Sequence, residues 1–244
     1  MAKSPYERLL RQLVIANRVL ARHGVVDSYG HVSIRHPDHP DRFVMSRARA
    51  PELITEDDFQ TYSLAGDELN GDDRKPYSER FIHAGVYEVR PEVLAVCHNH
   101  SPSVIPFGTT NLKLRPIFHM AGGIGSDVPV WDIADEFGEG TDLLVSNVAM
   151  GRSLARTLGP RPVALMRGHG SVVAATSVPN VVSVAFYMEQ NARLATLAEI
   201  MGKGDVHYLS DAEARATGEA QLLPNSAQRA WEAWCAQVGM SEDD

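Results

Sequence analysis

The sequence predicts a layered α/β fold, and three observations support this prediction. Helical and strand-like patterns follow one another in the order helix, strands, helix, strands, helices, which favours packed layers over a closed barrel. Hydrophobic residues make up 44% of the 244 residues and charged residues 22%, values typical of a folded globular protein. Neither an internal repeat nor a linker interrupts the chain. We therefore expect a single domain over residues 1–244.

The first part of the chain reads as a helix, a hairpin, a strand and a second helix. Apolar residues recur at helical spacing from Leu9 to Leu20, and Gly24 ends this first helix. Segment 29–48 has short β-prone runs on both sides of a Pro- and Asp-rich turn, which predicts a β-hairpin. A further strand and a polar loop follow. The stretch "SERFIHAGVYEVRPEV" then has helical spacing, with Ser78 as its expected N-cap.

The second part begins with an apolar strand that ends at His98. A long connection rich in Gly and Pro leads to a short helix that ends at Gly159. Two strand-like runs then surround Gly168 and Gly170. From about residue 179 onward the apolar spacing predicts helices.

Charge and cysteine content exclude several classes of protein. The net charge is −8 with histidines neutral, so we expect no nucleic-acid partner and no anionic membrane surface. The N-terminal stretch carries charges throughout, which is unlike a signal peptide or a membrane span, and we expect a cytoplasmic protein. The only cysteines, Cys97 and Cys235, are far apart in the sequence. A disulfide framework or a thiolate zinc site is therefore not expected, and a bound metal would need histidine and carboxylate ligands.

The stretch "AVCHNHSPSV" places His98 and His100 one residue apart at the end of the apolar strand. Successive side chains of a strand point to opposite faces, so both imidazoles are expected on one face, with Cys97 and Asn99 on the other. Two neutral imidazoles side by side suit a divalent metal. The alternative is that they are ordinary polar residues at the end of a strand.

A third histidine, His169, lies between two glycines in "MRGHGSVVA". Glycine on both sides permits a tight turn that presents the imidazole at the edge of a sheet. Three histidines with one open position are typical of a catalytic metal site, since the open position accepts substrate. Glu79, on the predicted helix before the histidine pair, is the leading carboxylate candidate.

Four short motifs, in this order and at these separations, resemble the class II aldolase/adducin family: G-H-V-S at 30–33, S-E at 78–79, H-N-H at 98–100 and R-G-H-G at 167–170. The resemblance covers a core of about residues 5–205 and leaves a helical extension at 206–244. It implies an α/β/α sandwich with a largely antiparallel central sheet, and a homotetramer with active sites at subunit interfaces. It also implies one divalent metal per subunit, held by His98, His100 and His169, with Glu79 as the acid/base residue.

The chain departs from the sugar-phosphate aldolases of this family where those enzymes bind phosphate. Their pocket resembles G-N-V-S, Thr-Gly and P-S-S-E, whereas this chain has His31, Ser46-Arg47 and Tyr77-Ser78 at the matching positions. An arginine pairs well with a planar carboxylate, and a tyrosine can stack on a ring. These residues therefore predict a carboxylated, aromatic small-molecule substrate. The alternative for Arg47 is a surface charge in a loop that also carries Arg49.

The function predicted from these features is that of a metal-dependent decarboxylase of a hydroxylated aromatic or heteroaromatic (di)carboxylic acid, with a role in aromatic compound catabolism. Glu79 is the expected proton shuttle, and His119 in "IFHMAGG" is a second candidate acid. The donor set suits zinc, but manganese, cobalt or iron can occupy such a site. Two alternatives stay open: an aldolase, epimerase or dehydratase acting on a sugar or sugar phosphate, and a non-catalytic adducin-like binding module.

Overall fold

A computed structural model describes residues 4–242 and contains a seven-stranded sheet with helices on both faces. The helices are α1 (Pro5–Arg22), α2 (Arg80–Val89), α3 (Ala134–Phe137), α4 (Val148–Leu158), α5 (Val178–Gly202), α6 (Asp211–Gln221) and α7 (Pro224–Gln237). The strands are β1 (His31–Arg35), β2 (Arg42–Ser46), β3 (Phe59–Ser63), β4 (Ala95–Asn99), β5 (Val130–Trp131), β6 (Val163–Met166) and β7 (Gly170–Ala175). Residues 1–3 and 243–244 of the predicted domain lie outside the described residues.

The strand order is β3-β2-β1-β4-β7-β6-β5, which places β4 at the centre of the sheet. Neighbouring strands pair antiparallel except β5 and β6, which run parallel. The α/β prediction and the largely antiparallel sheet are confirmed. Strand β5 was not predicted, because two residues within a Gly- and Pro-rich connection are too short to show an alternating pattern.

Each face of the sheet has its own apolar cluster. One cluster joins α1, α5 and α7 to strand residues that include Val32 and Cys97. The other joins α2 and α4 to strand residues that include Met45 and Val96. Because neighbours along a strand point to opposite faces, Val96 and Cys97 enter different clusters. The α2 face also receives His98, two residues after Val96.

The N-terminal helix follows from its capping residues and its apolar stripe. Ser4 accepts a hydrogen bond from the Glu7 amide at 3.2 Å, and Glu7 in turn accepts one from the Ser4 amide at 2.6 Å. This reciprocal pair satisfies two amides that the first turn leaves free. Leu13, Val19 and Leu20 are fully buried against the sheet, which confirms the predicted helix.

The predicted hairpin is confirmed as β1 and β2, and its first strand also pairs with β4. In that second pairing His31 lies directly opposite His98. Opposite residues of an antiparallel pair share one face of the sheet, so both imidazoles lie on the side of α2.

Helix α2 begins one residue later than predicted. Glu79, not Ser78, occupies the N-cap position, and its side chain makes no capping hydrogen bond. The carboxylate is instead engaged elsewhere, since Glu79 Oε1 accepts a hydrogen bond from the Val145 amide at 3.2 Å. Among residues 4–242, none of the helices combines the length and apolar character needed to cross a membrane.

Candidate metal centre

His98 lies near the end of the central strand β4 and is fully buried. Its Nδ1 lies 3.0 Å from the carbonyl oxygen of Ser171 on β7. A carbonyl oxygen accepts only, so Nδ1 carries the proton and donates. The neutral imidazole therefore presents the lone pair of Nε2 on its other side.

His100 follows directly after β4, and a carboxylate fixes its ring in the same way. His100 Nδ1 lies 3.0 Å from Oδ2 and 3.2 Å from Oδ1 of Asp27. Partial burial would raise the pKa of Asp27, but hydrogen bonds from His100 and from the Tyr29 amide outweigh it and lower that pKa. Asp27 is thus ionised at neutral pH and accepts the Nδ1 proton. This leaves a lone pair on His100 Nε2, which lies 3.1 Å from His98 Nε2.

His169 is held in the turn between β6 and β7 by the two glycines that flank it. Gly168 has a φ of +65°, a conformation that side-chain-bearing residues rarely adopt. A Cβ on Gly170 would lie 2.0 Å from the carbonyl oxygen of Asn99, so only glycine fits beside β4. The turn brings His169 Nε2 to 3.1 Å from His100 Nε2. Its Nδ1 is buried and has no hydrogen-bond partner among residues 4–242.

Glu79 completes the cluster from the start of α2. It is 6% exposed, and its Oε2 lies 3.5 Å from His98 Nε2 and 3.6 Å from His169 Nε2. Burial alone would raise the pKa of this carboxyl, but the adjacent imidazoles of His98 and His169 outweigh it and lower the pKa. Glu79 is therefore an ionised carboxylate at neutral pH.

These four side chains fit a divalent cation. Their ligand atoms all lie within 4.8 Å of one another, and the spacings given above are 3.1–3.6 Å. A tetrahedral shell with bonds of about 2.0–2.1 Å has ligand atoms about 3.3 Å apart. The lone pairs of His98 and His100, fixed by Ser171 and Asp27, repel one another unless a positive charge lies between them.

A cavity of about 450 Å³ opens beside the cluster, with Glu79 and His100 in its wall. Arg49 and Lys75 contribute positive charge to this wall, and Tyr29 contributes an aromatic ring. The Ala48 amide donates to the Lys75 carbonyl at 2.8 Å, and this hydrogen bond joins two segments of the cavity wall. The surroundings of the cluster are thus cationic and aromatic.

The predicted substrate-binding residues occupy different positions around this cavity. Tyr77 and Ser78 line it. The Tyr77 hydroxyl donates to the Arg49 carbonyl, and burial raises the pKa of Tyr77 to about 12, so the neutral ring is its available surface. Ser46 is buried next to the Tyr77 side chain. His31 is fully buried beneath the cluster, with ring centroids 4.5 Å from Tyr77 and 5.3 Å from His98.

The structure places Arg49, rather than Arg47, in the wall of the cavity. Arg47 Nε donates to Asp58 at 2.7 Å, and Arg49 Nη1 donates to both oxygens of the same carboxylate at 3.2 Å. Both arginines thus bond to Asp58, and Arg47, which was expected to bind a substrate carboxylate, is not among the residues that line the cavity. Arg49, two residues later in the alternating R-A-R stretch, faces the site instead.

His119 is not brought to the cluster of its own subunit. It is exposed in a 3-10 segment at 119–124 and lines a second cavity, of about 230 Å³, with Tyr187 and Arg229. Sequence reasoning also missed Asp27 and Lys75. Asp27 lies three residues before the G-H-V-S motif and Lys75 two before Tyr77, so proximity to a motif was the available signal.

Comparisons with known proteins agree with this geometry. The family described as Class II Aldolase and Adducin N-terminal domain matches residues 11–196. The chain is 36% identical over 250 residues to "Decarboxylase tropJ" of Talaromyces stipitatus, covering 94% of this chain and 93% of the relative. It is 31% identical over 199 residues to the 3,4-dihydroxyphthalate decarboxylase of Arthrobacter keyseri, covering 75% of each. The solved structure of an aldolase II superfamily protein from Pseudomonas syringae superposes with a TM-score of 0.80 at 21% identity, covering 99% of this chain and 98% of that one.

Proposed function

The chain belongs to the class II aldolase and adducin family, and from this premise we propose that it is a divalent-metal-dependent carboxy-lyase acting on a hydroxylated aromatic or heteroaromatic (di)carboxylic acid. The observation that carries the proposal is the cavity beside the histidine cluster, whose wall contains Arg49 and Lys75 together with Tyr29 and Tyr77. The names of two relatives, both decarboxylases, support the same reaction class.

Arg49 and Lys75 are the side chains of the cavity wall that suit an anionic substrate. Arg49 uses Nη1 for Asp58, and its Nε and Nη2 have no hydrogen-bond partner within residues 4–242. Lys75 has no ion-pair partner in the described part of the chain. A wall that contains two cations and two aromatic rings matches a planar ring with carboxylate groups better than a neutral sugar.

We propose that His98, His100 and His169 hold one divalent cation per subunit, and that Glu79 reaches the cation only while no substrate is bound. Such a cation supplies positive charge that stabilises the electrons left on the substrate when its carbon–carbon bond breaks. The ligand set of imidazoles and a carboxylate is compatible with zinc, manganese, cobalt or iron.

Glu79 moves the proton in the proposed reaction. As a buried carboxylate beside the histidine cluster, it takes the proton of the ring hydroxyl and gives it to the ring carbon that bears the departing carboxylate. The bond to that carboxylate then breaks, carbon dioxide leaves, and the bonding electrons restore the aromatic ring. A proton from solvent returns the hydroxyl, so the net change is replacement of the carboxylate by hydrogen.

We propose further that the enzyme is a homotetramer with active sites at subunit interfaces. Leu194, Leu197 and Met201 on the C-terminal half of α5 are 43%, 49% and 83% exposed, an apolar surface that a second subunit can cover. His119 lies outside the cluster of its own subunit, so it acts as the second acid only across such an interface. Light scattering that finds a fully active monomer would contradict this assembly.

Residues 206–244 are proposed to belong to the same domain as the core. Trp231 and Trp234 of α7 are buried in the apolar cluster that also contains α1 and α5. Removal of this extension is expected to lower the thermal stability of the core, which a melting curve of protein ending at residue 205 measures.

Carbon dioxide release tests the function directly. Protein stripped of metal and then reconstituted with zinc, manganese, cobalt or iron is assayed on 3,4-dihydroxyphthalate, dihydroxybenzoates and hydroxypyridine dicarboxylates, with the stripped protein as control. Release that requires metal supports the proposal. Cleavage of L-fuculose 1-phosphate without release from any aromatic acid would favour the aldolase alternative, and protein that binds no metal would favour the binding module.

A further inference from the structure

A buried chain of hydrogen bonds runs from His31 into the protein, away from the cavity. His31 Nδ1 lies 2.7 Å from His83 Nε2, and His83 Nδ1 lies 2.6 Å from the Ser33 hydroxyl. That hydroxyl lies 2.9 Å from the hydroxyl of Tyr87. All four side chains are at most 1% exposed, so solvent does not take part in the chain.

Both imidazoles in this chain are neutral. Burial lowers the pKa of His83 to about 3, with the nearby His98 adding to the effect. His31 is likewise fully buried, and no carboxylate is among its hydrogen-bond partners within residues 4–242, so a charge on its ring would be uncompensated and costly. Each ring therefore has one N–H and one lone pair, and the two residues share one proton between His31 Nδ1 and His83 Nε2.

The direction in which hydrogen bonds are donated from Tyr87 to His31 follows from the position of the Tyr87 hydroxyl proton. Burial raises the pKa of Tyr87, so its phenol keeps the proton, and Ser33 is its hydrogen-bond partner among the side chains of residues 4–242. If Tyr87 donates to Ser33, then Ser33 donates to His83 Nδ1, and His83 Nε2–H donates to His31. His31 then keeps its own proton on Nε2.

The opposite direction is less favourable. It leaves the buried Tyr87 proton without a side-chain acceptor within residues 4–242, and it also leaves a buried lone pair on His31 Nε2. The first direction leaves one unpaired group, the His31 Nε2–H, and Nε2 is indeed buried without a partner within the described residues. Because each unsatisfied buried polar group is costly, the first direction is preferred.

We infer that Ser33, His83 and Tyr87 are positioning residues that hold His31 as an Nε2–H donor toward an anionic oxygen of a substrate bound at the metal centre. His31 has its Nδ1 turned to His83, and its ring packs against Tyr77 in the cavity wall and His98 of the cluster. The part that concerns the substrate rests on the proposed function. The tautomer of His31 does not.

Nitrogen NMR of protein labelled with ¹⁵N only at histidine tests the inference without substrate. The His31 signals are assigned by their loss in His31→Gln. We expect the proton of wild-type His31 on Nε2, and a proton on Nδ1 overturns the inference.

A matched pair of variants tests the positioning role. Ser33→Ala removes the donor to His83, so the His31 nitrogen shifts are expected to move toward each other as the two tautomers mix. Ser153→Ala is the control, since Ser153 is equally buried and also loses two hydrogen bonds, to Trp131 and Glu136. Equal His31 shifts in the two variants overturn the positioning role.

The ligand contact has its own readout. On 3,4-dihydroxyphthalate, Ser33→Ala is expected to raise KM roughly three- to tenfold, less than the full loss of a hydrogen bond to a charged group because part of the His31 population keeps its Nε2 proton, while bound metal per subunit stays at the wild-type value. Mixed tautomers with an unchanged KM overturn the contact with substrate. Wild-type protein without any decarboxylation overturns the proposed function instead, and the NMR result still decides the direction of the hydrogen-bond chain.

Discussion

Exchange of Arg49 for lysine is expected to weaken substrate binding, whereas the same exchange at Arg47 is not. Both guanidinium groups bond to Asp58, at 2.7 Å from Arg47 and 3.2 Å from Arg49. Arg49 also faces the cavity. The two variants therefore lose the same kind of internal ion pair. Only Arg49→Lys also loses a planar pair of donors next to the histidine cluster.

The size of the expected rise in KM follows from the number of N–H donors that Arg49 offers to a substrate and from how exposed these donors are. A hydrogen bond to a charged group contributes about 1.5–3 kcal/mol. The Arg49 side chain is 34% exposed, so solvent competes for its N–H groups and the lower end of that range applies. Arg49→Lys is thus expected to raise KM for an aromatic dicarboxylate about tenfold, since about 1.4 kcal/mol corresponds to a factor of ten.

Arg47→Lys serves as the matched control. Asp58 is 3% exposed and keeps Arg49 and the Thr55 amide, at 2.9 Å, when Arg47 is exchanged. We therefore expect similar melting temperatures for the two variants and a KM within about twofold of wild type for Arg47→Lys. Steady-state kinetics of carbon dioxide release, with thermal melts of both proteins, make the comparison. A larger rise in KM for Arg47→Lys than for Arg49→Lys refutes the assignment of Arg49 to the substrate.

Three further predictions concern the candidate metal site and the residues around it. Alanine at His98, His100 or His169 is expected to abolish stoichiometric metal, and elemental analysis that finds full metal in all three variants contradicts the site. Asp27→Asn weakens the orientation of His100 and is expected to lower metal affinity about 10- to 100-fold in a chelator competition, with wild-type affinity as the contrary result. Glu79→Gln is expected to retain most of the metal and to lower kcat by at least about 100-fold; an unchanged kcat shows that the proton moves by another route.

Local patterns were sufficient to predict most elements of the fold. The apolar stripe of α1, the turn between β1 and β2 and the glycine after α4 each specify structure within a few residues of themselves. The three histidines of the cluster were predicted for a similar reason, because H-x-H and G-H-G mark a strand end and a tight turn. Their convergence depends on β4 lying next to β7, which the family resemblance supplied and local spacing did not.

The residues that were missed come together through contacts distant in sequence. Asp27 meets His100 across 73 positions, and Val145 meets Glu79 across 66. Neither contact leaves a periodic signal in the chain. The N-cap of α2 was placed one residue early for a related reason, since a capping preference describes an isolated helix and Glu79 is held by the cluster and by the Val145 amide.

Arg47 and Arg49 both bond to Asp58, and of the two Arg49 lies in the wall of the cavity. A buried carboxylate requires paired charge, and Arg47 meets this need through its Nε while Thr55 supplies an amide and a hydroxyl at 2.9 Å. Arg49 approaches Asp58 with Nη1 alone, which leaves its remaining N–H groups for the cavity. An alternating strand would place both arginines on one face and would not distinguish them. The distinction is one of position, since Asp58 accepts from one nitrogen of each guanidinium and Arg49 is the one that lies in the cavity wall.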